Sequence, residues 1–424
     1  MKERRQDPEE YLYSLKRKGD KIGLDKVRDF LSRFNDPQGK YDTVIIGGTN
    51  GKGSVTTLVA NTLTEAGYTT GKYISPHLAF FEERISVDKR LITKNELWSL
   101  IDMVKPVLED IEADGPAKRP SFFEVLTTLA FLHYAERKVD IAVLEVGMGG
   151  RLDATNVTSH ILSAITTVGL DHMDYLGTTK KEIAYEKAGI IRDGNYFVTG
   201  DKDPKVVDYF KKVCKERNAE FHHAFQRDFE IQESPLRLKI PEYGELEVPG
   251  IAKWQAENSL VALGVLEGLK EEGYKISKDQ IIRGFSKTKL PGRLEILSKK
   301  PLVVIDSAHN VPGITELVNT LKKMDYKRLL LVIGILDDKD YGGMIEAIGP
   351  VCDHVFTAEP VSSRKLSSNI LADELKNYCE ANSFAHGIDA LQEAIDMWRV
   401  GDIILVTGSI YLLGDIIKKM KGVE

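Results

Sequence analysis

Long apolar runs are what this chain of 424 residues most plainly lacks. The longest, at 329–336, falls far short of the roughly 20 residues a membrane-crossing helix needs, so no membrane partner is expected. Cysteine is nearly as scarce. Only Cys214, Cys352 and Cys379 occur, too far apart for a zinc or redox motif, which suits free core thiols in a reducing cytoplasm. No long basic run exists and the formal charge is −6, which argues against a nucleic-acid partner. Residues 1–7 have no apolar stretch behind them, so a secretory signal is not expected either. Low-complexity segments and short-period repeats are also missing, which disfavours disordered and solenoid classes. What remains, 42% hydrophobic and 29% charged residues, describes a soluble globular chain. Its length exceeds the size at which single cores stop growing, so two domains are expected.

Strand-like runs at 43–46, 141–145, 161–168 and 196–199 alternate with helical patterns. Four helices announce themselves by capping boxes, Thr93 with Glu96, Ser121 with Glu124, Thr179 with Glu182, and Ser277 with Gln280. A further helix is expected from Leu24, Val27, Leu31 and Phe34. Such alternation predicts an α/β fold with a mostly parallel sheet covered by helices. A second α/β series follows, with buried strands expected at 302–305, 329–333, 354–357 and 403–406. Helices are expected near 313–324, 340–348, 367–382 and 388–399, with another after 409. The domains are therefore drawn as 1–297 and 298–424, the latter a smaller Rossmann-like unit, with 287–293 as the hinge. A β-rich excursion near 219–249 carries no evident chemistry.

The richest segment is Thr43-Val44-Ile45-Ile46-Gly47-Gly48-Thr49-Asn50-Gly51-Lys52-Gly53-Ser54. A β-branched run passes into a glycine-rich turn with one lysine, then into a helical pattern over 54–66. Glycines there let backbone N–H groups converge on phosphate oxygens, the helix N-terminus adds its dipole, and Lys52 supplies a cation. Gly48, Thr49, Asn50, Gly51, Lys52, Gly53 and Ser54 are thus expected to cradle a nucleoside triphosphate. The loop departs from the common Walker spacing. Its early glycines stand at 47 and 48, and Gly53 displaces the expected hydroxyl residue to Ser54.

Other polar residues fall where strands should end, which in parallel sheets is where ligands bind. Glu145 closes an apolar strand and precedes Gly147, Gly149 and Gly150; a carboxylate there suits Mg²⁺. Asp171-His172-Met173-Asp174 follows the next strand, with His172 either a metal ligand or structural. Ser75-Pro76-His77 and Glu83-Arg84 follow the run 70–74, offering a hydroxyl for metal and two groups for an anionic substrate. Lys187 sits inside a helical pattern, where lysine is ordinarily solvated. Asp306-Ser307-Ala308-His309-Asn310 ends the first expected strand of the second domain and marks a site between domains.

Together these segments resemble the Mur ligase superfamily and, within it, the folylpolyglutamate synthase/dihydrofolate synthase branch. The likeness runs through 48–54, 75–78, 83–85, 121–124, 144–156, 169–177, 186–190, 290–295, 306–310, 337–344 and 407–415. It implies an ATP-dependent ligase that phosphorylates a folate carboxylate and couples it to L-glutamate. By the same resemblance Ser75, Glu145 and His172 would ligate magnesium, with Ser54 beside them, and Lys187 would be carbamylated to hold a second Mg²⁺. Lys52, His172 and Lys187 form the implied catalytic set. Asn258, Arg293, Asp306 and His309 would join the loop in binding ATP. Folate is placed near His77, Arg84, Phe122, Phe123, Arg151 and Asp153. A cytoplasmic monomer is the default expectation.

Departures from the family pattern lie at Ile46-Gly47 and at Ser307-Ala308-His309-Asn310-Val311-Pro312, where the proline falls one place late. Three other readings compete, of which a simple ATPase or kinase fails to explain why the second domain carries its own polar site. Gly53, and the want of a UDP-binding domain before residue 40, disfavour a muramyl-peptide ligase. A nucleotide-binding module without catalysis would not need Ser75, Glu145, His172 and Lys187 together.

Overall fold

The computed structural model describes residues 7–15, 23–233 and 235–422. Residues 1–6, which carry most of the segment read for a secretory signal, lie outside them. Strands β1 (Asp42–Gly47), β2 (Thr70–Tyr73), β3 (Ile85–Val87), β4 (Arg90–Leu91), β5 (Ile141–Glu145), β6 (Leu162–Ile165), β7 (Tyr196–Thr199) and β8 (Glu220–His223) form one sheet. Their order is β4-β3-β2-β5-β1-β6-β7-β8. From β2 to β8 the neighbours run parallel, and β3 and β4 add an antiparallel edge. Strand β1 is buried on both faces: Val44 and Ile46 enter one apolar cluster and Ile45 the other. That explains why it reads as a continuous apolar run.

Strands β9 (Glu230–Glu233), β10 (Leu236–Ile240) and β11 (Gly244–Glu247) make a separate antiparallel sheet, while β8 from the same β-rich excursion joins the main one. The second large sheet comprises β12 (Glu295–Lys299), β13 (Leu302–Ile305), β14 (Leu329–Ile333), β15 (His354–Ala358), β16 (Glu380–Phe384) and β17 (Ile403–Thr407). Its order is β12-β13-β17-β14-β15-β16, parallel except for β12. Leu330 and Val332 of β14 pack on one face, and Leu329, Leu331 and Ile333 on the other.

The two α/β units and all four capping boxes are present. Three boundaries differ from expectation. The run 161–168 is strand only to Ile165, because Thr166 and Thr167 turn to brace the phosphate loop. The helix expected over 367–382 stops at Leu375, and polar β16 follows as an edge strand with largely exposed side chains. An edge strand needs no apolar alternation on its solvent side, so its sequence resembles helix or loop. Strand β12 begins at Glu295, so the second sheet starts ahead of the 297/298 boundary. Among the described residues no helix is long and apolar enough to cross a membrane.

The helix Lys253–Glu271 lies against β6 and β7. Gly268 permits its close approach to the sheet. A Cβ there would lie 2.5 Å from the Tyr196 ring and 2.6 Å from Leu162. Gly268→Ala is expected to cost about 1–3 kcal/mol through overpacking. Gly39→Ala, where a Cβ meets nothing within 4 Å, should stay within about 0.5 kcal/mol of the parent. Urea unfolding of both variants measures the contrast, and equal stabilities would refute the packing argument.

Candidate active site

Strand register brings the first elements together. Ile46 pairs with Glu145 on one side and Ala164 on the other, while Gly47 pairs with Ile165. The phosphate loop, the β5 carboxylate and the segment after β6 therefore leave the sheet side by side. The helix Lys52–Glu65 begins after Gly51, which has φ 87° and provides no side-chain cap. Its first amides are thus left for a ligand. Gly48 has φ 139°, and a Cβ on it would sit 1.9 Å from Thr166 Oγ1. A Cβ on Gly51 would sit 2.3 Å from Asn258 Oδ1. Only glycine fits either position.

The loop is braced from β6. Thr49 N–H donates to the Thr167 carbonyl (2.7 Å), and Gly169 N–H donates to Thr49 Oγ1 (2.9 Å). Thr166 Oγ1 donates to the Asn50 carbonyl (2.6 Å). Lys52 Nζ donates to the Gly48 and Thr49 carbonyls, each at 3.1 Å. Lys187 Nζ donates to the same Gly48 carbonyl at 2.8 Å. Burial pushes the Lys187 amine down to about 7, and the neighbouring Lys52 charge adds to the effect. Burial also lowers Lys52, against the opposing pull of Glu145 and Asp171. A lysine inside a helical pattern is therefore buried here, at 3% exposure, rather than solvated.

Glu145 is buried, and burial raises its carboxyl above the usual range despite Lys52. Its Oε2 accepts the Ser75 N–H at 3.0 Å. Ser75 Oγ is buried without a hydrogen-bond partner, an orphaned oxygen beside a carboxylate. That donor set fits a hard cation that prefers oxygen. Among the described residues no three His, Cys, Asp or Glu side chains gather at metal-binding spacing. Mg²⁺ commonly keeps several waters and takes oxygens from phosphate, so a sparse set of protein donors suffices for it.

Two cavities adjoin, and Ser75 lines the smaller of them while Glu145 lines neither. One, of about 790 Å³, is lined by Thr49, Ser54, Asn258, Arg293, Asp306 and His309 among others. The second, of about 380 Å³, is lined by Ser75, Arg84, Phe123 and Asp153 from the first unit, with Arg364 and Tyr411 from the second. His172, His309 and Lys339 line both. A group bound in one cavity can therefore be handed to a group in the other across these three side chains. Burial lowers His309 to about 4, and its Nδ1–H donates to the Ser307 carbonyl (2.9 Å), leaving Nε2 as an acceptor. Asp306 accepts N–H bonds from Leu294 (2.9 Å) and Ala308 (2.8 Å), so it holds the β13 exit in shape.

The expected folate set is only partly assembled. Phe123 and Arg84 face the smaller cavity, but Phe122 does not line it; its ring packs on Tyr13 at 5.1 Å. His77 instead accepts from Arg84 Nε at 2.9 Å and lies outside the lining. Arg151 also lies outside, paired with Glu186 at 2.8 Å and stacked over Tyr185. Asp153 lines the wall, yet its carboxylate is occupied by Met148 N–H, Thr155 N–H and Thr155 Oγ1. Sequence reasoning assigns no role to Asp171, Asn310 or Lys339, although all three lie in the motif segments 169–177, 306–310 and 337–344. Asp171 and Lys339 pair at 2.7 Å across the two units.

The profile described as the Mur ligase middle domain matches residues 46–266, and that of the Mur ligase glutamate ligase domain matches 292–410. A curated relative, the dihydrofolate synthase/folylpolyglutamate synthase of Bacillus subtilis, is 32% identical over 430 residues, covering 98% of this chain and 99% of its own. The crystal structure of a folylpolyglutamate synthase from Thermotoga maritima is 35% identical with TM-score 0.84, over 97% of this chain and 95% of that one. A bifunctional folylpolyglutamate synthase/dihydrofolate synthase from Yersinia pestis, complexed with AMPPNP and Mn, is 28% identical with TM-score 0.85 and 98% coverage of both chains.

Gly53 explains its own departure from the common loop. A Cβ there would lie 3.2 Å from Glu145 Oε2. Gly53→Ser should crowd that carboxylate and weaken magnesium-dependent nucleotide binding about tenfold, with little change when magnesium is absent. Calorimetric titration with and without magnesium checks this; equal loss in both conditions would mean that the loop itself is distorted.

Proposed function

The chain belongs to the Mur ligase family, and from that premise we infer that it is an ATP-dependent ligase adding L-glutamate to the γ-carboxylate of tetrahydrofolate or folylpolyglutamate. Addition to dihydropteroate, giving dihydrofolate, is the companion reaction suggested by the bifunctional relatives. The observation that carries this reading is the pair of cavities meeting at His172, His309 and Lys339. ATP occupies the larger and the folate carboxylate reaches in from the smaller.

The substrate carboxylate attacks the γ-phosphorus, ADP leaves, and an acyl phosphate forms. The amine of L-glutamate then attacks the acyl carbon, loses a proton, and the tetrahedral adduct expels phosphate. Loop amides and Lys52 stabilise charge on the moving phosphoryl group, so catalysis is mainly positioning and electrostatics. Asn258, Arg293, Asp306 and His309 shape the nucleotide cavity, with the division between units falling near 290–295. Placing the acyl phosphate between two units keeps water away from it. Ser75, Glu145 and His172, with Ser54 nearby, would hold magnesium, which supplies positive charge to the phosphates. Phe123 and Arg84 receive the folate, and His77 orients Arg84.

Carbamylation of Lys187 would convert its amine into an oxygen-donor anion for a second magnesium ion. The amine nitrogen attacks CO₂ and gives up a proton, which needs the neutral amine. A value near 7 leaves a substantial neutral fraction at neutral pH. The fraction grows as pH rises through that value.

Phosphate release with ATP, magnesium and L-glutamate should depend on tetrahydrofolate or dihydropteroate. Release with a UDP-muramyl peptide alone would reject the folate assignment. Lys187→Ala should lose about 100-fold or more in kcat and regain part of it with short carboxylates. In the parent, activity limited by carbamate should rise between about pH 6 and 8 as the neutral amine accumulates, and added bicarbonate should narrow that difference. Parental turnover in Lys187→Ala would dismiss the carbamate.

A further inference from the structure

We propose that Asn50, Asn310, Asp171 and Lys339 form an interdomain latch that sets the geometry where the two cavities meet. Asn310 is 6% exposed, and its carboxamide is fully engaged. Its Oδ1 accepts the Gly313 N–H (2.9 Å), capping the helix Val311–Leu321, and also accepts from Asn50 Nδ2 (3.3 Å). Its Nδ2 donates to Asn50 Oδ1 and to Asp171 Oδ2, each at 3.2 Å. Asp171 Oδ1 accepts from Lys339 Nζ at 2.7 Å, and both side chains are only 11% exposed. One cluster therefore ties the phosphate loop and the 169–172 segment to two loops of the second unit.

The cluster also reaches the junction itself. Asp171 Oδ1 accepts the His172 N–H at 2.9 Å. His172 has φ 52° and ψ 41°, a left-handed conformation uncommon for a residue with a side chain. A satisfied polar network at an interface is either made or broken, since a partly satisfied one leaves buried groups unpaired. When the network is made, the phosphate loop and the His172 backbone are fixed relative to the second unit. When it breaks, both are released together. Asn310 and Lys339 are on this account positioning residues. The kinetic consequence rests on the ligase reading, whereas the geometry does not.

Asn310→Ser keeps a capping oxygen but is too short to reach Asn50 and Asp171. Measured at saturating ATP, it should lower kcat about 10- to 100-fold, as expected for misplaced reacting groups. Phosphate released per glutamate ligated should rise above that of the parent, because an open junction admits water. Small-angle scattering with AMPPNP and magnesium should show a larger radius of gyration. Lys339→Met, which leaves the helix cap intact, should behave alike, and Lys339→Arg should recover most of the loss. The Asn310→Ser/Lys339→Met double variant should lose little more than the worse single variant. Unchanged scattering and kcat in both single variants, or fully additive losses, would overturn the latch. Scattering reads it without turnover, so a parent protein that ligates nothing would reject the ligase reading and leave this test standing.

Discussion

Parallel pairing of β1 with β5 and β6 forces three strand ends into one crevice, and everything at the site follows from that register. A shift of one residue would turn Glu145 to the other face of the sheet. Because Ile46 faces both Glu145 and Ala164, the phosphate loop emerges between a carboxylate and a bracing segment. The bracing threonines hold open a turn whose glycines have no room for a Cβ. The helix behind it begins without a side-chain cap.

Burial then acts on the charges gathered there. Lys52 and Lys187 are both lowered by it, and Glu145 and Asp306 are both raised. Each group is less comfortable charged than it would be in water, and each is partly offset by an opposite neighbour. Such mutual dependence is common at sites that move charge. The second unit contributes to the same cavities, since Asp306, His309 and Lys339 come from it.

Much of the fold is legible in the chain. Buried parallel strands read as apolar runs, and capping boxes mark helix starts, because both signals are local. Strand β16 escapes such reading because an edge strand is not required to be apolar, and β6 reads too long because β-branched Thr166, Thr167 and Val168 extend the strand-like pattern into the brace. Arg151 and Phe122 are placed as substrate contacts by the family resemblance. Their side chains instead meet Glu186 and Tyr13. Neighbours in sequence at a turn or helix start point in different directions, so one can face a cavity while the next faces the core.

Lys187 stood out only through the family resemblance, whereas the sequence alone determined the two α/β units, the phosphate loop with its unusual Gly53, and Glu145 and His172 as residues of interest. These follow from short-range patterns of hydropathy, turn chemistry and motif spacing. Tertiary structure decided which side chains share a cavity, that Lys187 is buried beside Gly48, and that Asp171 pairs with Lys339 across the units. Those facts depend on strand order and domain placement, which bring together residues far apart in the chain and which no local pattern encodes.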